Sequence, residues 1–360
     1  MTFTFLFILL NMGWNLEEES KLIQSDLSEI RGLPFLRDVA VASINTEGFL
    51  DYARRRMEME NSPEEQASWE VAASLLGLLP PQTDIEAETL SLLEEQVGGF
   101  YDPPTETMYV MEGFEGGVAR MILAHELTHA LDDQHYGLDE GIEARQGNSD
   151  ALFAYQAVVE GSGVAMMTRW MIAHITELSR EDLQEAQGAG SAGFGTAPPL
   201  LWKPLIAVYM AGDLFLKAGP NAPHTMMKQA VGEDIDTALE TPPLSSEQIL
   251  HPEKYWSDEE RDDPVVVQWD ASRLLAGWAV VGEDTLGEIL LALLTTSPDQ
   301  GGGFDPNNPL SLLRLRFTND AAKGWGGDRY IHIQRGEEHA LRLHTVWDTP
   351  KDAAEFGVAL

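Results

Sequence analysis

The chain contains no cysteine. Disulfides, thiol nucleophiles, thiolate zinc sites and a lipid-anchored cysteine are therefore excluded. Basic residues are scarce. Twenty-three lysines and arginines stand against 59 aspartates and glutamates, a formal net charge of −36. A surface of that sign repels nucleic acid and anionic membranes, so neither is an expected partner. It favours solubility and attracts cations. No run of 18 apolar residues occurs, and no stable membrane span is expected. The N-terminal MTFTFLFILLNMGWN has a shorter run, Thr2 to Leu10, with no lysine or arginine before it and no A-x-A site after it. It reads either as an atypical signal peptide or as a helix packed on the domain. The first reading tilts the expected location towards extracytoplasmic or secreted; the second is compatible with the cytoplasm.

What is present suits a folded protein. The 360 residues are 44% hydrophobic, enough for a sizeable core. The periodicity predicts an α+β fold, mostly helical, with a small antiparallel sheet. After the apolar segment 1–15, residues 16–95 read as helices. Helices are expected in NTEGFLDYARRRMEME, capped by Asn45 or Thr46, in SPEEQASWEVAASLLGLL, opened by Ser-Pro, and in DIEAETLSLLEEQVG. The remainder, 96–360, opens with GGFYDPPTETMYVMEGF, which reads as a β-hairpin turning at Asp102-Pro103-Pro104. Long helices follow, through GGVARMILAHELTHALDDQ and from about Asp150 to Ile175. Further helices are expected at 201–217, 222–230, 245–251 and 270–295. GWGGDRYIHIQRGEEHALRLHTVWDTP alternates like a second hairpin turning near Arg335-Gly336, and PKDAAEFGVAL closes the chain as a helix. The segment 187–199 reads as a connecting loop. Its Gly188 to Gly193 fits G-x-G-x-x-G but lacks the preceding strand and following helix of a phosphate loop.

One stretch carries chemistry. His125-Glu126-Leu127-Thr128-His129 is H-E-x-x-H within a helical, apolar context. Residues four apart share a helix face, so both imidazoles can bind one Zn²⁺, with Glu126 beside them as general base. Burying two histidines and a glutamate without a metal or partners is costly, which argues against a histidine-rich core helix.

Two residues compete as third ligand. His135 has the spacing of H-E-x-x-H-x-x-G-x-x-H, but Asp132 stands where that pattern needs a turning glycine. The helix is therefore expected to continue and carry His135 away. Glu160, on the next helix in AYQAVVEGSGVAMM, completes a His₂Glu set, and Gly161 and Gly163 allow close helix approach. Glu160 is the preferred ligand on these grounds.

HELTH with a downstream Glu-Gly resembles the gluzincin branch of zinc metallopeptidases. More narrowly, GFYDPPTETMYV, LAHELTHALDDQH, VVEGSGVAMM, PPLSSEQILHPEKY, GWGGDRY and WDTPKDAAEF resemble a group of bacterial metallopeptidase-like proteins, from about Leu78 to the C-terminus. The zinc motif is specific; the later segments mark the group without assigning a role. The resemblance implies a zincin-like catalytic domain built on an HExxH helix. It implies one zinc ion on His125, His129 and Glu160, and hydrolysis of a peptide or protein substrate by metal-activated water with Glu126 as base. The chain departs from the thermolysin-like E-x-x-x-D, because Val164 stands four after Glu160. Asp133 or Asp150 is left to substitute. The expected oxyanion donor is His251, before a proline at a helix end, with Tyr255, Arg329 and Tyr330 as alternatives. Asp133, one turn beyond His129, is a candidate to orient an imidazole. A zinc-binding module without peptidase activity, or a hydrolase of other amides, are the competing functions. An intact Glu126 favours an enzyme, because a structural site needs no base.

Overall fold

The computed structural model describes residues 14–60, 62–182, 197–223, 228–270, 274–296, 311 and 314–360. The architecture is α+β and mostly helical, with two three-stranded sheets. The apolar N-terminal run and the loops at 187–196 and 301–309 lie outside the described residues.

The first half runs α1 (Leu16–Arg31), β1 (Ala40–Ile44), α2 (Thr46–Glu60), α3 (Pro63–Leu75), α4 (Ile85–Gln96), β2 (Gly99–Asp102), β3 (Thr107–Met111), α5 (Gly116–Tyr136), α6 (Leu138–Glu143) and α7 (Ser149–Ala173). The second runs α8 (Pro199–Lys217), α9 (Gly232–Glu240), α10 (Ser246–Leu250), α11 (Glu253–Trp256), β4 (Ala279–Asp284), α12 (Gly287–Leu294), β5 (Trp325–Arg335), β6 (Glu338–Trp347) and α13 (Pro350–Ala359).

Local chemistry sets the boundaries. The Asn45 side chain accepts the Gly48 N–H at the start of α2. Ser62 and Glu65 form a reciprocal capping box around Pro63, and Thr349 and Asp352 form another around Pro350. Gly137, at φ 64°, ends α5 in the left-handed conformation after Tyr136, so the helix does run past Asp132 and His135.

Two strands replace expected helix. AVASI forms β1 and pairs in parallel with β3, and AVVGED forms β4, which pairs antiparallel with β5. The first sheet, ordered β1-β3-β2, is thus mixed rather than antiparallel; the second, β4-β5-β6, is antiparallel. Of the helix expected over 270–295, only α12 is helical among the described residues. The helix expected at 222–230 is absent where described; α9 begins later, at Gly232.

The core is built round α5 and α7, which are apolar on most sides and so are buried helices rather than surface ones. Leu123, Leu127 and Leu131 of α5 are fully buried, each contributing about 2 kcal/mol of hydrophobic stabilisation. Close helix contact is glycine-dependent at one crossing: a Cβ on Gly212 of α8 would lie 1.9 Å from the Ala157 carbonyl oxygen of α7. By length and composition α8 could cross a membrane, but 56% of its most apolar window is buried against the fold, as in a core helix.

Candidate metal centre

The α5 helix places His125 and His129 one turn apart, with ring centroids 4.7 Å from each other and planes nearly perpendicular. Both rings are more than nine-tenths buried. Glu160, from the middle of α7, faces them. One carboxylate oxygen, Oε2, lies 3.0 Å from His125 Nε2 and 3.5 Å from His129 Nε2. Gly163 makes this approach possible: a Cβ there would lie 2.5 Å from His125 Cε1. The two imidazoles hold Glu160 ionised, well below the usual carboxylate range, against the opposing effect of burial.

These three residues form a group able to hold a metal ion. A tetrahedral zinc site with bonds of about 2.0–2.1 Å separates its ligand atoms by roughly 3.3 Å. The two spacings about Glu160 bracket that value, so the donor set fits zinc. His129 Nδ1 is buried with no hydrogen-bond partner among the described residues. Its ring is therefore fixed by packing and by what Nε2 meets.

Glu126 sits beside His125. Its Oε2 accepts the Tyr101 backbone N–H at 3.1 Å. The strand pattern explains this bond. The Gly98 carbonyl accepts the Met111 N–H, so the hydrogen-bonded pairs of β2 and β3 fall at 98/111 and 100/109. Tyr101, in the alternate pair, turns its N–H outward from the edge strand. Burial pushes the Glu126 carboxyl up to about 7, and nearby Glu160 adds to this; His125 and the Tyr101 N–H oppose it.

Asp133 does not orient an imidazole. Its carboxylate accepts the Tyr101 hydroxyl at 2.9 Å and the Leu138 N–H at 2.8 Å. It therefore anchors the residue whose backbone holds Glu126. Asp150 accepts the Ser246 N–H, at the far end of α7. Ten residues separate it from Glu160, about 15 Å of helix. Asp132 pairs with Arg31 Nε at 3.0 Å and accepts Ser162 Oγ at 2.5 Å, tying α1 and α7 to the motif helix. His135 Nε2 meets the Pro34 carbonyl at 2.8 Å, on the exposed side.

His251 is engaged elsewhere: its Nε2 lies 3.0 Å from Glu288 Oε1. Tyr255 donates to the Thr241 carbonyl, Arg329 pairs with Glu283, and Tyr330 packs on Trp69. The polar side chain that does reach the cluster is Tyr209 of α8. Its ring centroid is 5.8 Å from that of His125, and its hydroxyl interacts electrostatically with the Glu160 carboxylate. Burial, then the Glu160 and Glu126 carboxylates, hold the phenol well above its ordinary value. Tyr209 is nonetheless 37% exposed and the Glu160 side chain 23%. Solvent therefore reaches the cluster at Tyr209 and Glu160. A separate solvent-open groove of about 400 Å³, between Trp14, Glu18, Glu19, Glu115 and Arg120, contains none of these residues.

A second acidic group, Glu247, Asp262 and Asp348, also has the spacing of metal ligands. Lys254 already occupies it: its ammonium lies 2.7 Å from Glu247, 2.8 Å from Asp262 and 2.7 Å from Asp348.

Residues 272–360 match a family model described as a domain of unknown function (DUF8575). That stretch holds the second sheet and α13 and none of the His125, His129 and Glu160 cluster. Neither the curated proteins nor the solved structures gave a match.

Proposed function

We propose that the protein is a zinc-dependent metallopeptidase with a zincin-like catalytic domain. Convergence of His125 Nε2, His129 Nε2 and Glu160 Oε2 at spacings that suit tetrahedral zinc carries this reading. When bound, the zinc ion supplies Lewis acidity, polarising a carbonyl oxygen and acidifying water.

The chain's own groups do the rest. Glu126, with one oxygen held by Tyr101 N–H, keeps its other free of hydrogen-bond partners among the described residues. That oxygen takes the proton of the attacking water and returns it to the departing amine. A cation on the three ligands draws its proton affinity down from the raised value, so it works ionised near neutral pH. The β2 edge supports a peptide substrate. That edge lies next to the base, to which its outward-facing Tyr101 N–H is bonded, so an extended chain laid along the strand passes beside Glu126. Tyr209 takes the place of His251 as the polarising donor, since its hydroxyl already points at Glu160.

The test is metal content of the purified wild type, Glu160→Gln and His135→Ala, with cleavage of a general protein substrate alongside. One zinc per wild-type chain, lost in Glu160→Gln and kept in His135→Ala, supports the site. Zinc without cleavage, under conditions where Glu126→Gln behaves like wild type, leaves a metal-binding module. No zinc after reconstitution would falsify the reading.

A further inference from the structure

A second histidine pair lies in the C-terminal sheet. His332 of β5 is 1% exposed. Its Nδ1 is 2.8 Å from Ser68 Oγ of α3, and its Nε2 is 2.9 Å from Nδ1 of His339 on β6. The hydrogen bonds therefore run from an exposed ring, through a buried one, to a helix in the first quarter of the chain. The β4 strand makes room with Gly282, opposite His332: a Cβ there would lie 2.1 Å from Ser68 Oγ. His332 and His339 belong to the stretch that matches the family model; Ser68 does not.

We propose that Ser68, His332 and His339 form a pH-sensitive latch between α3 and the C-terminal sheet. An N···N hydrogen bond needs one donor and one lone pair. With both rings neutral the requirement is met. It is still met when exposed His339 takes a proton, because its Nδ1–H donates to His332 Nε2. A second proton, on His332, sets two N–H groups and two positive charges against each other at 2.9 Å. The chain of bonds must then part.

Few other charges face the buried ring. On its side of the sheet β6 presents His339 and Leu341, β5 presents Tyr330 and Gln334, and β4 presents Gly282 and Asp284. Asp284 is taken up by Ser149 N–H at 2.8 Å. On α3, Glu65 is held in its own cap, Glu64 is exposed, and half-buried Glu70, two residues after Ser68, falls on the opposite side of the helix. Burial first, and His339 second, lower the proton affinity of His332; the bond to Ser68 opposes them weakly. A group whose folded affinity is lowered resists protonation until the latch opens. The latch thus loses stability as pH falls below the free imidazole value of about 6.5.

Hydrogen exchange read by mass spectrometry tests this on the full chain, between pH 7.5 and 5 and corrected for intrinsic exchange. Wild type, His339→Ala and His332→Leu are compared at equal metal loading. In wild type, protection of peptides covering α3 and β5 is expected to fall about tenfold per pH unit at the acid end, the slope of one proton. His332→Leu should lose that step. His339→Ala, a surface change that keeps the core, should weaken it by removing the opposing ring. No step in wild type, or a step of equal size in His339→Ala, would overturn the proposal.

Discussion

The histidines at 125 and 129 depend on residues that have no chemistry of their own. Gly163 gives His125 its space, so Gly163→Ala should weaken zinc binding by at least tenfold, measured by competition with a chromogenic chelator, while the helix content stays unchanged. Tyr209→Phe removes a hydroxyl and leaves the three ligands intact. Zinc content should stay at the wild-type value while kcat drops by about 10²-fold or more. His251→Asn, at a residue bound to Glu288, should change kcat little; a large loss there with Tyr209→Phe silent would reverse the assignment. The difference in legibility between these residues is physical. His125 and His129 declare themselves by a four-residue spacing on one helix, and Glu160 by the glycines around it. Tyr209 follows Glu160 by nearly fifty residues in an apolar helix, where nothing local separates a tyrosine that lies beside the cluster from one that fills a core. The contact that His251 makes was hidden for a different reason. Its place before a proline signals an accessible helix end, but its partner Glu288 lies far along the chain.

At the level of elements, α5 is the axis on which the rest is assembled. Asp132 is not a failed turn residue but a buried carboxylate that clamps α1 and α7 to the motif helix through Arg31 and Ser162. Replacing it leaves the buried Arg31 guanidinium with the partly exposed Asp236, 2.6 Å away, as its remaining carboxylate. Asp132→Ala should therefore cost about 3–5 kcal/mol in urea unfolding, and an apolar replacement of both partners should cost much less. The hairpins and long helices were readable because their patterns are self-contained: turn residues, caps and periodicity lie within each segment. The β1 and β4 strands were not. Each is five or six residues long, and each becomes a strand only by pairing with β3 or β5, far along the sequence. Tertiary partners decided those segments, not local propensity.

Across the whole molecule, the acid excess has two measurable effects. If the peptidase proposal holds, the acid excess steers cationic chains towards the protein, so kcat/KM for lysine- or arginine-rich peptides should fall as ionic strength rises, with neutral peptides much less affected. Some carboxylates are also held away from water. Burial pushes Asp150 up to about 7, and Asp328 and Glu288 add to the effect, while Ser246 opposes it. Its folded proton affinity exceeds the unfolded value, so its stabilising share is whole below pH ~4 and is lost as pH rises to about 7. Asp150→Asn keeps the acceptor for Ser246 N–H. Relative to wild type it should gain stability across that window, by up to about 1.4 kcal/mol per pH unit, as read by chemical denaturation at pH 4 and 8. A flat difference between the two pH values would show that Asp150 titrates normally.

Lys254 gives the molecule an internal counter-ion where three acids from separate segments meet. A covalently tethered cation cannot be dialysed away. With zinc on the helical cluster as proposed, chelation strips that cluster and leaves the tie between α10, α11 and the end of β6 intact. For this protein a chelator acts as a single-site reagent among the described residues. On the zinc reading proposed above, the loosening or inactivation it produces reports, among the described residues, on His125, His129 and Glu160.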